Sequence, residues 1–360
     1  MTVPSENGPL RVLTFGAGAI GTYVGGSLAL AGHRLTFVER PHVVEELRQR
    51  GLRLDLTVDK RRAGGVIQVD PSDLVAVGSL KDALRYGPFD VVIFALKSFD
   101  TAAALENIKP YAEQIPPILC LQNGVENEPL LAATLGQDKV LYGTLTCSVG
   151  RRGPGDIVLE RSRGLGVAVA EQGQKDLAGS LVVALNGAGL NARLYPNPAD
   201  MKWSKLLTNL TANATSAILD MTPTEIFAHP DLYRLEMRQL REALAVMKAM
   251  HIQVIDLPGT PVRLLAWVAY LPDFLRPLVA RTIGGGRGGK MPSFHIDLHS
   301  GRRQSEVDWL NGAVVRAGER MGIATPVNQL LSQTLTTLIK KKLALDKFSH
   351  HPGALVALLS

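Results

Sequence analysis

The sequence predicts an α/β domain followed by an all-α domain, and three observations carry that prediction. Short apolar runs ending at Val38, Leu96, Leu121 and Leu141 alternate with helical or turn-rich segments, the pattern of a parallel sheet flanked by helices. Residues 200–219, 224–250, 306–321 and 328–345 instead have helical period and length. Between the two regimes, Tyr195-Pro196-Asn197-Pro198 carries two prolines, which discourage both helix and central strand. The expected domains are therefore 1–196 and 197–360, with 197–360 helical.

The first element is the apolar run 10–15, read as a buried strand, and Gly16-Ala17-Gly18-Ala19-Ile20-Gly21 follows it directly. A small-residue apolar helix continues to Leu30, Gly32 stops it, and a second strand reads Arg34-Leu35-Thr36-Phe37-Val38. In this context the glycines acquire separate duties. Gly16 allows the tight strand-to-helix turn, Gly18 lets backbone approach a pyrophosphate, and Gly21 permits close packing of helix on strand. Ala17, Ala19 and Ile20 present backbone N–H groups at a helix N-terminus, where the macrodipole favours an anion. The unit predicts a Rossmann dinucleotide-binding domain. Further strands are expected at 157–159 and 166–170, extending the same sheet.

The end of the second strand bears on which dinucleotide binds. Glu39 stands where an acid accepts the ribose 2′-hydroxyl of NAD, and Arg40 stands where a guanidinium pairs with a 2′-phosphate. A bidentate charged pair outweighs a single neutral hydrogen bond, so NADPH is the expected cofactor, with NADH the alternative that Glu39 keeps open.

In the second domain, Lys205, Asn209 and Asn213 recur at intervals of four on one expected helix, with Ser216 on the same stripe. Asn and Thr each cost a helix roughly half a kcal/mol relative to Ala, yet Thr208, Asn209, Thr211, Asn213 and Thr215 are concentrated here. A solvated face would explain polarity, but such faces ordinarily carry several charges, and this stripe carries a single ammonium. A substrate-facing surface fits better.

The bulk numbers exclude several classes. A chain of 360 residues, 46% hydrophobic and 20% charged, is an ordinary globular protein rather than a disordered or fibrous one. Cys120 and Cys147 exclude a disulfide framework and are read as buried free thiols in a reducing cytoplasm. The most apolar long stretch, 262–283, is broken by Arg263, Pro272, Asp273, Arg276 and Arg281, so no membrane span is expected. A net charge of +6 suits an anionic cofactor and substrate and does not call for nucleic acid. Residues 1–9 read as a ragged terminus without a signal pattern. No metal is expected, since His295 and His299 lack a cysteine or carboxylate set in sequence and His350-His351 lie in an expected frayed end.

Several ordered motifs together make the chain resemble the ketopantoate reductase family: the Gly16 fingerprint, Ala95-Leu96-Lys97, Gln122-Asn123-Gly124, Trp203-Ser204-Lys205-Leu206 with Asn209, Ser293 through Asp297, and Gly301 through Asp308. The resemblance implies a Rossmann domain joined to a helical domain like that of 6-phosphogluconate dehydrogenase-like proteins. It also implies NADPH-dependent reduction of 2-dehydropantoate to (R)-pantoate in a cleft between the two. Lys205 then matches the catalytic lysine, a general acid that protonates the carbonyl oxygen as hydride arrives, and an ammonium beside a developing alkoxide suits that task physically. Glu306 matches the active-site glutamate. Asn209, Asn213, Ser293 and Asp297 match substrate-binding positions, and Lys97 and Asn123 match the ribose and nicotinamide end of the cofactor.

Simpler readings accompany three of these: Glu306 as a first-turn acid of the helix that follows, Asp297 as a local turn residue, and Lys97 as the polar end of a strand. The chain departs from the family between Asp297 and Glu306, about one residue longer, and at 257–291, longer and more apolar, ending in the glycine cluster 284–289. That segment reads either as a lid carrying Arg287 and Lys290 or as packed helices that would make the protein a homodimer. Two other functions share the sequence: a reductase of a different 2-oxo acid or ketone, and a non-catalytic sensor of nicotinamide redox state. A sensor needs the glycines but no proton donor, so Lys205 with Asn209 and Glu306 argues against it.

Overall fold

Apolar strands buried on both faces build the sheet of the first unit. Among the described residues the strands are β1 (Arg11–Phe15), β2 (Arg34–Val38), β3 (Leu52–Asp55), β4 (Val66–Val69), β5 (Leu74–Val77), β6 (Val91–Phe94), β7 (Ile118–Cys120), β8 (Val140–Leu145), β9 (Ser148–Gly153), β10 (Asp156–Arg161), β11 (Leu165–Val169) and β12 (Ala192–Tyr195). The computed structural model describes residues 8–62, 64–272 and 290–359. Residues 1–7 of the expected ragged terminus 1–9, and the segment 273–289 with the glycine cluster and Arg287, lie outside the described residues.

The main sheet runs β12-β11-β8-β7-β6-β1-β2-β5. From β5 to β8 every neighbour is parallel, and the strand order reverses at β1. This is the doubly wound Rossmann arrangement, whose switch point falls between β1 and β6. β11 then joins β8 antiparallel and β12 parallel, which makes the whole sheet mixed.

A second sheet, β4-β3-β10-β9, was not legible in the sequence. It corrects the placement of 157–159, which lie in β10 and pair with β9 and β3 rather than extending the main sheet. The helix Ala19–Leu30 packs against strands of both sheets, which is why it is apolar around its whole circumference.

Two compact units are distinguished: Met1–Gln122 with Asn127–Lys202 and Leu257–Thr260, and Asn123–Glu126 with Trp203–Asp256 and Pro261–Ser360. The boundary at Lys202 falls inside a helix. Tyr195 ends β12 and Pro198 already occupies the first turn of the helix Pro198–Leu210, because Asn197 accepts hydrogen bonds from Ala199 N–H at 2.8 Å and Asp200 N–H at 3.2 Å. Pro198 thus starts a helix, which proline does well at the first position, and Pro196 lies in the bend before it.

The single helix expected over 200–219 is two helices, Pro198–Leu210 and Asn213–Leu219. Ala212 breaks them with φ of 51°, a left-handed conformation unfavourable for a residue with a Cβ. Buried side chains from the helix Pro230–Ala249 satisfy the groups that the break releases: Glu236 accepts Ala212 N–H at 2.7 Å, and Gln239 donates to Leu210 C=O at 3.0 Å. The expected helix 224–250 is likewise divided, into Pro223–Ala228 and Pro230–Ala249, at a proline that cannot continue a helix. Asn328–Leu345 shortens to Pro326–Ile339, whereas Val307–Met321 follows its expected course. No helix among the described residues is long and apolar enough to cross a membrane.

Candidate active site

The first unit supplies a cradle made of backbone. Gly16 has φ of 97°, and a Cβ there would lie 3.2 Å from Ala95 C=O, directly after β6. A Cβ on Gly21 would come within 1.8 Å of Gly16 C=O, so only glycine lets the helix sit this close to the turn. Gly18 has open space around it instead, with nothing within 4 Å of a Cβ position. It caps the helix Ala19–Leu30 without a side-chain hydrogen bond, and no acid stands in the first turn. An open glycine, an uncapped helix N-terminus and the sheet's switch point fit the pyrophosphate of a dinucleotide.

Glu39 reaches back to this loop, accepting Ala17 N–H at 2.8 Å and Arg40 N–H at 2.9 Å. Its carboxylate therefore braces the fingerprint turn, a role the sequence did not suggest. Arg40 stands at the N-terminus of the helix Pro41–Arg50 with its guanidinium exposed, 3.9 Å from the Asp100 carboxylate.

Lys97 is half-buried at the start of the short turn after β6. The loop beside it is tied down by buried amides. Gln122 donates to Leu96 C=O at 3.1 Å and to Thr101 Oγ1 at 2.9 Å, and Asn127 donates to Ser98 Oγ at 3.1 Å.

Beneath these lies a buried ion pair that sequence reasoning missed. Lys202 Nζ is 2.6 Å from Glu128, with side chains only 4% and 0% exposed, and also donates to Gln122 C=O at 2.7 Å and Gly143 C=O at 3.2 Å. Burial pushes the Glu128 carboxyl up, and the Lys202 ammonium opposes that shift. The fully buried Cys120 thiol is pushed up as well, by burial first and the Glu128 charge second. Cys147 is half-buried and free, where a buried thiol had been expected.

The second unit supplies a polar surface made of side chains. Lys205 and Asn209 are one turn apart on Pro198–Leu210, both half-buried. Asn209 donates to Asn123 Oδ1 at 3.1 Å, which brings two predicted site residues together across 86 positions of sequence. The Asn123–Glu126 loop is anchored at its other end by Arg316, whose guanidinium is bidentate to Glu126 at 3.1 and 2.6 Å.

Asn213 no longer continues the stripe of Lys205 and Asn209, because the break at Ala212 puts it on the next helix. Its Oδ1 accepts Phe294 N–H at 3.1 Å, while its Nδ2 donates to Asn209 C=O at 3.0 Å and reaches Ser293 Oγ at 3.5 Å. Ser293 opens the helix Ser293–His299 and is exposed. Asn123, Asn209, Asn213 and Ser293 therefore form a continuous hydrogen-bonded line.

Glu306 is buried, 3% exposed, at the N-terminus of Val307–Met321, and its side chain does not cap that helix; Ser305 Oγ accepts Val307 N–H at 3.2 Å instead. Asp297 is buried and paired with Arg302 at 2.9 Å. Its position gives the local-turn reading a physical basis, since its C=O also accepts Ser300 Oγ and Arg302 N–H.

Family models describe both parts of the chain. The model for ketopantoate reductase PanE/ApbA matches residues 12–171, and that for its C-terminal domain matches 197–339. The chain belongs to the ketopantoate reductase family. It is similar to the 2-dehydropantoate 2-reductase of Streptococcus pyogenes, 26% identical over 75% of this chain and 82% of that protein. A solved ketopantoate reductase from Ralstonia eutropha is 28% identical with a TM-score of 0.75, covering 92% of this chain and 99% of its own. A D-mandelate dehydrogenase solved with NADH and anilino(oxo)acetate shares the fold at 22% identity and a TM-score of 0.75, covering 92% of this chain and 99% of its own. As a ketopantoate reductase family member, the protein is an oxidoreductase that works with a nicotinamide cofactor.

Proposed function

We propose that the protein reduces 2-dehydropantoate to (R)-pantoate with NADPH, in the cytoplasm, with Lys205 as general acid. The observation that carries this reading is the line Asn123–Asn209–Asn213–Ser293, which includes the helix turn that follows Lys205. Amide and hydroxyl groups at fixed spacing suit a substrate that combines a carboxylate, a ketone and a hydroxyl. The bound cofactor supplies a hydride to the ketone carbon. Lys205 donates a proton to the carbonyl oxygen, so the product alcohol forms without a free alkoxide, and the lysine regains its proton from solvent.

Glu306 contributes a buried carboxylate that its own helix does not use as a cap, suited to orienting the lysine and the substrate hydroxyl. Ser293, Asn209 and Asn213 bind substrate, and Asp297 holds the Ser293–His299 helix through Arg302. Gly16 through Gly21 take the pyrophosphate, Lys97 and Asn123 the ribose and nicotinamide end, and Arg40 the 2′-phosphate. Two backbone N–H groups already occupy Glu39, whereas the exposed Arg40 guanidinium has, among the described residues, only a long ion pair, 3.9 Å to Asp100, to give up for a phosphate.

A second reading, reduction of another 2-oxo acid with NADH, is favoured by the same Glu39: a carboxylate at the fingerprint turn repels a 2′-phosphate and accepts a ribose hydroxyl. Cofactor oxidation measured against 2-dehydropantoate, benzoylformate and straight-chain 2-oxo acids, with NADPH and NADH at equal low concentrations, separates the readings. Higher kcat/KM for 2-dehydropantoate with NADPH is expected; a preference for an aryl 2-oxo acid with NADH would replace the first reading by the second.

A further inference from the structure

The sequence left His295 and His299 without a carboxylate partner, and the fold supplies one. Both histidines stand four residues apart on Ser293–His299, the spacing that puts two imidazoles on one helix face. Asp220 ends the neighbouring helix Asn213–Leu219 in a left-handed conformation, φ 52°, which turns its carboxylate to them. Asp220 Oδ1 lies 2.6 Å from His295 Nε2 and 3.8 Å from His299 Nε2, and the imidazoles stack with centroids 4.0 Å apart. One ligand atom from each of the three residues falls within 4.8 Å of the others.

We infer that these three side chains form a binding site for a divalent first-row metal, Zn2+ in the first place. Two imidazole nitrogens and one carboxylate oxygen make a borderline donor set, matched to Zn2+ and its neighbours rather than to Mg2+ or Ca2+, which prefer oxygen. The site is open on one side. Asp220 and His299 line a cavity of about 210 Å³ that also contains Asp346 and Ser349, giving room for water or the Asp346 carboxylate as a further ligand.

His350 is fixed here by its N–H on Leu219 C=O at 2.7 Å, so it does not lie in a frayed end. A metal bound at His295 Nε2 would take the place of the hydrogen bond between that nitrogen and Asp220 Oδ1. The metal then clasps the helix that begins with Asn213 to the helix that begins with Ser293. The inference concerns binding and does not depend on which 2-oxo acid is reduced.

Calorimetric titration of the EDTA-stripped and desalted full chain with Zn2+ alone tests this. About one Zn2+ per chain is expected at micromolar affinity, with a rise in thermal midpoint of a few degrees under saturating metal. His299→Ala and Asp220→Asn should each weaken binding at least about tenfold, while His42→Ala, at an exposed position of the helix Pro41–Arg50, leaves it unchanged. Far-UV circular dichroism establishes that each variant is folded, and Co2+ absorption reports the ligand geometry in the folded ones. Absence of saturable Zn2+ binding, or binding in both folded site variants as tight as in the parent, overturns the inference.

Discussion

The glycine cradle of the first unit and the polar surface of the second are built on opposite principles. The cradle works through absent side chains: Gly18 leaves space, and Gly21 permits an approach that any Cβ would block. The polar surface works through side chains that hold one another, Asn209 on Asn123 and Asn213 on Ser293 and Phe294 N–H. A backbone site tolerates sequence change around it as long as the glycines stay. A side-chain site depends on its whole hydrogen-bonded line, including supports such as Glu236 and Gln239 that touch no ligand.

The largest expected effect is on chemistry at the second region. Lys205→Ala should lower kcat by about 10²–10⁴, the range for a general acid, with cofactor affinity in a fluorescence titration nearly unchanged. Near-normal turnover would dissolve the distinction between a binding region and a reacting one.

Three residues earlier in the same helix, Lys202→Met should instead unfold the protein more easily by about 3–5 kcal/mol, because Glu128 is left buried without its cation. The sign with pH follows from the raised Glu128 carboxyl. A raised folded-state value means the contribution to stability is full below the ordinary carboxylate range and is lost as pH rises through the folded value. Without Lys202 the carboxyl rises further, so the deficit of the variant in denaturant melts should be smallest in acid and grow towards neutrality. A deficit that does not change with pH would mean Glu128 is not the group left uncompensated.

Within the cradle, two alanines should behave differently. Gly21→Ala meets Gly16 C=O and is expected to cost about 1–3 kcal/mol of stability along with cofactor binding. Gly18→Ala meets no protein atom, so its melting temperature should stay close to the parent while cofactor affinity falls. Equal melting temperatures for the two would show that the close approach at Gly21 is not maintained in solution.

The smallest effect is expected at Arg40. Arg40→Ala should weaken NADPH by about tenfold through loss of charged hydrogen bonds and leave NADH as it was. An equal loss for both cofactors would assign Arg40 to the adenine ribose in general rather than to a 2′-phosphate.

Much of the molecule was legible in sequence because it is locally encoded. The β1–fingerprint–helix–β2 unit declares itself through glycines at fixed spacing and apolar runs, and β2 occupies Arg34–Val38 as read. The second sheet was not legible, since β3 and β4 are four-residue strands and the partner that joins β3 to the rest of the sheet, β10, lies about a hundred residues on. Nor was the break at Ala212. The helical pattern passes through it uninterrupted, and only the groups brought by Pro230–Ala249 make a left-handed alanine sustainable there.

By itself, then, the sequence determined the fold class, the dinucleotide fingerprint and the candidacy of Lys205, all carried by residues within one turn or one strand-helix step of each other. Tertiary structure alone decided that Lys202 is a buried counter-charge to Glu128, that Glu39 braces Ala17, that Asn213 leaves the Lys205 stripe, and that Asp220 faces His295 and His299. These are pairings between residues 22 to 79 positions apart or a backbone break that such pairings support, and no periodicity along the chain encodes which distant group will meet which.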